Sequence, residues 1–211
     1  MNEMFGNFFN WKLHTTFDYV SMGLLLLASF TLLYVYTRRA KRLRTDAAAA
    51  RRVARRLHRC DRGAQIYEQL TMPTRGGEPI LVEHLLLDDA GILLIQSFGR
   101  GLEIYGQARE ETWKVVDPEQ RVAIPNPVLR LEKAIDPLRS LLAERGIFQV
   151  PIAPLAVFAD NFEPPKLYLG PTAEATSFQD LKPLLKKRAE ASPSFDRPAV
   201  AAVLEALAAK H

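Results

Sequence analysis

Two polar side chains, Glu83 and Gln96, each interrupt an apolar run and are the first candidates for chemistry. Between the two runs lies the segment DDAG (88–91), which predicts a four-residue hairpin loop. Leu87 would then pair with Ile92 across the hairpin. Counting back along both strands places Glu83 directly opposite Gln96 on one face of a sheet.

A carboxylate at this position can bind a divalent cation, which is the starting point of metal-assisted hydrolysis. Gln96 is neutral, so the negative charge offered to a cation is that of Glu83 alone. Phe98 lies two residues further along the same face, and its side chain cannot donate, polarise or titrate. A single Glu on a strand is more often a hydrogen-bonded or half-exposed residue than a metal ligand.

Other familiar catalytic patterns are absent from the sequence. It has no Walker-type phosphate loop, no H-E-x-x-H and no G-x-S-x-G. Four histidines (His14, His58, His84, His211) are scattered, and His84 points away from Glu83, so we predict that it is packed or solvated. Cys60 is the single cysteine, which excludes a disulfide framework and indicates a reducing compartment; a structural or a lipid-modified role stays open.

The elements that must position Glu83 and Gln96 are short strands followed by helices. The predicted strands are Gln65 to Leu70, Ile80 to Leu87, Ile92 to Phe98, Leu102 to Tyr105, Thr112 to Val116, Pro154 to Phe158 and Lys166 to Leu169. A helix capped by Asn126 carries an apolar stripe and ends at Gly146, and two more helices are predicted over Asp180 to Ala189 and after Asp196. This order predicts an α/β or α+β sandwich, a mixed sheet flanked by helices around one core.

An N-terminal segment predicts a membrane helix. Tyr19 to Tyr36 has 18 residues without a charge, which span about 27 Å as a helix. Phe17 extends it, and aromatic residues sit where interfacial ones belong: Trp11, Tyr19, Tyr34 and Tyr36. A cleaved signal peptide is disfavoured, because arginines follow where small residues should mark a cleavage site. By the positive-inside rule we expect a single-pass anchor in the cell (inner) membrane, with the N-terminus outside and the C-terminal domain cytoplasmic.

Charge is distributed unevenly along the chain. The formal net charge of +4 divides into −1 for residues 1–37, +9 for 38–62 and −4 for 63–211. We expect the basic stretch to form a helix with an apolar seam (Leu43, Ala47, Ala50, Ala54, Leu57) that lies against anionic lipid headgroups. A weak coiled coil and a contact with nucleic acid are the alternatives. The residues predicted at the membrane surface are Arg38, Arg39, Lys41, Arg42, Arg44, Arg51, Arg52, Arg55 and Arg56.

Several short motifs, taken in order, resemble the NERD (nuclease-related) domain, a branch of the PD-(D/E)XK nuclease superfamily. They are LVEHLLL (81–87), GILLIQSF (91–98), Gly101 with IYG (104–106), Trp113, NPVLR (126–130) and AVF (156–158). The resemblance covers residues 64 to 160. It implies a PD-(D/E)XK-like mixed sheet flanked by helices, with a metal-binding carboxylate at the position of Glu83.

The departures from the family pattern fall on its functional positions. The glutamate and lysine of E-x-K correspond to Gln96 and Phe98, and the glutamine of N-P-x-x-Q corresponds to Arg130. A Gly-Glu pair on an early helix of the family has no equivalent among the arginines of residues 51–62. A rearranged site remains an alternative, in which Glu103 supplies a second carboxylate and Arg100 replaces the lysine, although an arginine cannot act as a base.

The expected organisation is an extracytoplasmic N-terminus (1–16), a transmembrane helix (17–37), a basic juxtamembrane helix (38–62), a NERD-like domain (63–170) and C-terminal helices packed on it (171–211). We predict a catalytically inactive binding or assembly module without a cofactor. Its expected partners are the bilayer and a protein or membrane complex; the acidic domain does not support nucleic-acid binding. The alternatives are a Mg²⁺-dependent nuclease around Glu83 and Glu103, or a small subunit of a membrane machine.

Overall fold

A computed structural model describes residues 16–60, 63–72, 78–160, 163–190 and 194–209, with no side-chain description for residues 40–43. Apart from Thr16, the expected extracytoplasmic N-terminus (1–16), with Trp11 and His14, therefore lies outside the described residues, and so does His211. The side chains of Lys41 and Arg42, which the sequence placed at the membrane surface, are outside the description as well. The chain divides into two compact units between Lys41 and Arg42.

The first unit contains most of one long helix, α1 (Thr16–Leu43). Its segment Thr16–Arg39 has a mean hydropathy of 1.8, and none of it is buried. By length and composition this is one helix that is apolar enough to cross a membrane. Its large apolar side chains are exposed, as the lipid-facing surface of such a helix requires.

The second unit contains all other elements. Its helices are α2 (Asp46–Cys60), α3 (Pro127–Ala143), α4 (Leu181–Arg188) and α5 (Arg197–Ala208). Its strands are β1 (Gln65–Met72), β2 (Ile80–Asp88), β3 (Gly91–Phe98), β4 (Glu103–Gly106), β5 (Thr112–Val116), β6 (Arg121–Pro125), β7 (Ile152–Phe158), β8 (Lys166–Leu169) and β9 (Ala175–Ser177). The predicted mixed α/β class is confirmed, and β6 and β9 are strands that the sequence patterns did not predict.

Two mixed sheets form the frame of this unit. The five-stranded sheet has the order β1-β2-β3-β7-β9, in which β1, β2 and β3 are antiparallel and β7 and β9 join in parallel. The four-stranded sheet has the order β6-β5-β4-β8, with β4 and β8 parallel. The first sheet carries helices on its faces, and the second packs Trp113 and Ile104 against Phe158 of β7.

The hairpin between β2 and β3 has the predicted register but a shorter loop. Leu87 pairs with Ile92 as expected, and the pairing continues to Asp88 and Gly91, so the turn contains two residues rather than four. Gly91 has φ +115°, and a Cβ atom there would lie 2.2 Å from the carbonyl oxygen of Pro151. The tight turn therefore depends on glycine, both for its backbone conformation and for the close approach.

Helix α2 is part of the core rather than a separate basic segment. Its buried face is Ala49, Val53, Ala54 and Leu57, which pack on β3 and β7. The predicted seam was correct at Ala54 and Leu57 but wrong at Ala47, which is exposed. The compact unit therefore begins about twenty residues before the boundary expected at residue 63. The helix is rich in arginine, but its alanines and one valine form a face that packs into the core.

Helix α3 begins as its sequence predicts and ends at Ala143, three residues before the expected Gly146. The Asn126 side chain accepts hydrogen bonds from the backbone of Val128 and Leu129, and Pro127 occupies the first turn. The Asn126 amide group also donates to the carbonyl oxygens of Ala108 and Glu110, which ties the loop between β4 and β5 to the start of the helix. One cap residue thus joins α3 to the four-stranded sheet.

Candidate functional site

Glu83 lies near the open end of the β2–β3 ladder, at the position predicted for it. The β2–β3 pairing ends at His84 with Ile95, and one further step along both strands places Glu83 opposite Gln96. The backbone N–H of Ser97 donates to Oε2 of Glu83 at 2.7 Å. The carboxylate is half-buried and is held by the neighbouring strand.

The surroundings of Glu83 favour its protonated form. Burial raises the pKa of Glu83, and the nearby carboxylate of Asp46 raises it further. The hydrogen bond from Ser97 and the positive charge of Arg130 act in the opposite direction but do not cancel the rise in pKa. Asp46, Glu83 and Arg130 therefore form one electrostatic group.

Asp46 is the site residue that the sequence comparison missed. It is the first residue of α2, and its Oδ1 accepts a hydrogen bond from the backbone N–H of Gly99 at 2.8 Å. A Cβ atom on Gly99 would lie 2.2 Å from the carbonyl oxygen of Thr45, so glycine allows β3 to end against the start of α2. The Gly-Glu pair of the family pattern has no equivalent among residues 51–62. Helix α2 begins earlier, at Asp46, which is acidic.

Gln96 and Phe98 occupy the two positions where the family pattern has a glutamate and a lysine. Oε1 of Gln96 is buried and has no hydrogen-bond partner among the described residues. The Phe98 ring stacks on Phe158, with 5.1 Å between ring centroids and an interplanar angle of 23°. Phe98 therefore extends the aromatic cluster of Trp113 and Phe158 to the end of β3.

A cavity of about 530 Å³ opens beside these residues. Phe98, Val115 and Ile124 provide apolar walls, and the charged side chains on it include Asp46, Arg100, Asp117 and Arg130. Its volume lies in the range of small-molecule sites. The arrangement offers an apolar surface with two guanidinium groups and the carboxyl groups of Asp46, Glu78 and Asp117.

The two residues of the proposed rearranged site are placed differently. Arg100 lines the cavity, and its Nε donates to the backbone carbonyl oxygen of Arg44 at 2.9 Å. Glu103 lies on β4 and lines a separate depression with Tyr105, whose hydroxyl group donates to Oε2 of Glu103 at 2.8 Å. The structure thus brings Arg100, Gln96 and Phe98 to one cavity and assigns Glu103 to another surface.

Several arginines expected at the lipid surface make contacts inside the folded unit. Nη2 of Arg44 lies 2.7 Å from Asp117 and 2.8 Å from Asp160, and both carboxylates are almost completely buried. Arg52 donates to the carbonyl oxygen of Ala159, and the guanidinium of Arg56 lies 4.4 Å from the Phe178 ring centroid. Much of this basic stretch therefore stabilises the domain, whereas Arg51 and Arg55 remain exposed.

His84 is packed rather than solvated, which was one of its two predicted environments. It is 2% exposed, and neither ring nitrogen has a hydrogen-bond partner that meets normal geometry among the described residues. Burial lowers the pKa of His84. The neutral imidazole is therefore the form that the fold accommodates.

A comparison with protein families assigns a large part of the second compact unit to one family. Residues 45–159 match the NERD family, described as the nuclease-related domain. This match covers more than half of the chain, and the chain therefore belongs to the NERD family. The match begins at α2, which is also where the second compact unit has its first core helix. No curated protein and no solved structure matches the chain.

Proposed function

We propose that this NERD-family chain is a membrane-anchored protein whose domain binds a partner and does not cleave nucleic acid. The observation that carries this proposal is Phe98, which fills the lysine position of the family pattern and stacks on Phe158. An aromatic ring cannot activate water or neutralise a phosphate, so the general acid-base part of phosphodiester hydrolysis has no group at this position.

The donor set does not fit the Mg²⁺ centre that the family resemblance implies. Asp46 and Glu83 each use one carboxylate oxygen as an acceptor for a backbone N–H, and Gln96 replaces the second acidic residue of the strand. No group of three His, Cys, Asp or Glu residues that could hold a metal occurs in the part of the chain that the structure describes. Arg130 adds a positive charge close to Glu83, which further weakens the attraction for a cation.

One specific observation favours the rival function, a divalent-metal-dependent nuclease. Asp46 is a second carboxylate close enough to Glu83 to raise its pKa, and Mg²⁺ sites in phosphoryl-transfer enzymes can use as few as two carboxylates together with water and substrate oxygens. A rearranged active site would then use Asp46 rather than Glu103. The same cleavage assay decides between the two functions.

The decisive experiment is a cleavage assay with the full chain in detergent. Helix α2 contributes to the core, so a fragment that begins at residue 63 would lack part of it. Single- and double-stranded DNA and RNA are incubated with Mg²⁺ or Mn²⁺ beside the matched variants Glu83→Ala and Asp46→Ala. We expect no cleavage above a buffer control. Cleavage that disappears in both variants would establish the nuclease instead.

The membrane anchor is tested separately from catalysis. The supporting observation is the apolar segment Thr16–Arg39, of which nothing is buried, together with the net charge of +9 on residues 38–62. We expect the full chain to resist alkaline extraction from membranes, and we expect protease added from the cytoplasmic side to digest the C-terminal unit. Release of the chain by alkali, or protection of that unit, would contradict the proposed anchor or its orientation.

A further inference from the structure

The outer surface of the four-stranded sheet combines exposed tyrosines with basic side chains, whereas the described lining of the cavity has no tyrosine. Strand alternation turns Ile104, Trp113 and Val115 inward to the core. The opposite side chains include two tyrosines, three cations and one carboxylate, and we call this set the outer face: Glu103, Tyr105, Lys114, Arg121, Lys166 and Tyr168. Apart from the half-buried Glu103, all of these residues are exposed.

The two tyrosines of the outer face form a stacked aromatic pair, in which each ring covers one face of the other. Tyr105 on β4 pairs with Tyr168 on β8, and their rings stack with centroids 4.7 Å apart and only 9° between their planes. The residues remain 39% and 51% exposed. The hydroxyl group of Tyr105 donates to Glu103, which fixes the orientation of one ring and satisfies the acidic group. Two large rings are thus held in place while retaining surface that is open to solvent.

Three basic side chains lie around the stacked tyrosine pair. Lys114 on β5 pairs with Tyr105, and Lys166 on β8 pairs with Glu103. Arg121 on β6 pairs with Val116 one strand further out, in the same depression as Tyr105. None of these three cations forms an ion pair with another described residue. The six residues of the outer face therefore carry a net charge of +2, although residues 63–211 carry −4, and Glu110 and Glu111 line the adjoining depression.

We propose that the outer face binds single-stranded nucleic acid, with bases stacked on Tyr105 and Tyr168 and phosphates in contact with Lys114, Arg121 and Lys166. Exposed aromatic rings on a sheet recognise bases that are free of a duplex, because paired bases hide their flat faces. This binding surface is separate from the cavity beside Phe98. The proposal is independent of whether that cavity is catalytic.

A second copy of the chain is the less favourable occupant of the outer face. Symmetric face-to-face packing would bring the net positive charge of one outer face against the same charge on the other. A polyanion with flat groups matches both properties of the surface at once. The charge of the outer face therefore favours nucleic acid over self-association.

The test measures binding of three fluorescein-labelled 12-nucleotide probes by the full chain in detergent: oligo(U), oligo(dT) and a duplex. Binding is followed by fluorescence anisotropy without divalent metal. We expect at least one single strand to bind about tenfold or more tightly than the duplex. Tyr168→Ala should weaken single-strand binding by about 5- to 100-fold, the effect of losing one stacked base. Lys114→Glu should also weaken it and reduce the salt dependence by about 0.7 in log–log slope.

Matched controls separate the outer face from other basic or aromatic surfaces. Phe148→Ala removes a ring that is 67% exposed, and Lys133→Glu reverses an exposed charge on α3; both should leave binding unchanged. The proposal is overturned if wild type binds no single strand. It is also overturned if Tyr168→Ala has no effect while a double variant, Arg51→Glu with Arg55→Glu, abolishes binding, because the ligand would then lie on α2. If the chain binds no oligonucleotide but forms a dimer that Tyr168→Ala dissociates, the outer face is the contact surface for a second copy.

Discussion

The end of β3 and the outer face of the four-stranded sheet contain similar residue types in opposite states. At the end of β3, the carboxylates accept backbone N–H groups and Phe98 stacks on a buried ring. On the outer face, the rings of Tyr105 and Tyr168 stack on each other but stay exposed, and the cations have no described ion-pair partner. The difference shows that residue type alone does not identify a binding surface, because internal contacts can occupy the same groups.

The largest expected effect tests how strongly internal contacts hold the cavity wall. Arg44→Ala would remove the ion-pair partner of the buried Asp117 carboxylate and one of the partners of the buried Asp160, and we expect it to lower the free energy of unfolding by about 3 to 5 kcal/mol. Urea denaturation of the full chain in detergent measures the change. Arg51→Ala, at an exposed position on α2, should cost less than about 0.5 kcal/mol. Equal effects of the two variants would refute the structural role of Arg44.

The aromatic residues of the two regions provide a direct comparison. Phe98→Ala removes a half-buried ring from the Phe158 stack and should cost about 2 kcal/mol of stability. Tyr168→Ala removes an exposed cross-strand partner and should cost less than about 1 kcal/mol. Thermal melts of both variants measure the difference. A larger loss for Tyr168→Ala would show that the outer face is mainly structural.

The hairpin and the first sheet could be predicted because their signals are local. Turn residues at 88–91 fixed the register of β2 and β3, and the Asn126-Pro127 pair marked the start of α3. Asp46 could not be assigned in the same way, because its neighbours in space, Glu83 and Gly99, are distant in sequence. The pairing of Tyr105 with Tyr168 was missed for the same reason: parallel strands far apart in the chain carry no turn that reveals their register.

The buried histidine predicts how the inner side of β2 responds to acid. Because the folded-state pKa of His84 lies below its ordinary value near 6.5, the unfolded chain binds the proton more readily. Stability should therefore fall as pH decreases below about 6.5, by no more than about 1.4 kcal/mol per pH unit from this group. Melting temperatures from pH 7.5 to 5 should show a smaller loss in His84→Leu than in wild type.

The smallest expected effect concerns Glu83, whose pKa is raised mainly by burial. The Glu83 carboxyl group therefore holds its proton more tightly in the folded state than in the unfolded state. Ionisation of Glu83 lowers the stability of the fold, and this loss grows as pH rises from about 4.5 through the folded-state pKa. Glu83→Gln should therefore raise the melting temperature at pH 7 by about 1 °C, because the amide oxygen can still accept from Ser97. The gain should vanish near pH 4. A loss of stability at pH 7 would show that the ionised carboxylate is required.

The stack of Phe98 on Phe158 also limits the mutational routes open to this protein. Replacing Phe98 by lysine would remove an aromatic contact and place an ammonium group beside the cluster of Phe158 and Trp113. Replacing Gln96 by glutamate would add a third negative charge near Asp46 and Glu83 with no lysine to balance it. Each single step towards the E-x-K pattern is therefore disfavoured by itself. Acquiring that pattern would therefore require both replacements together, because each one alone lowers stability.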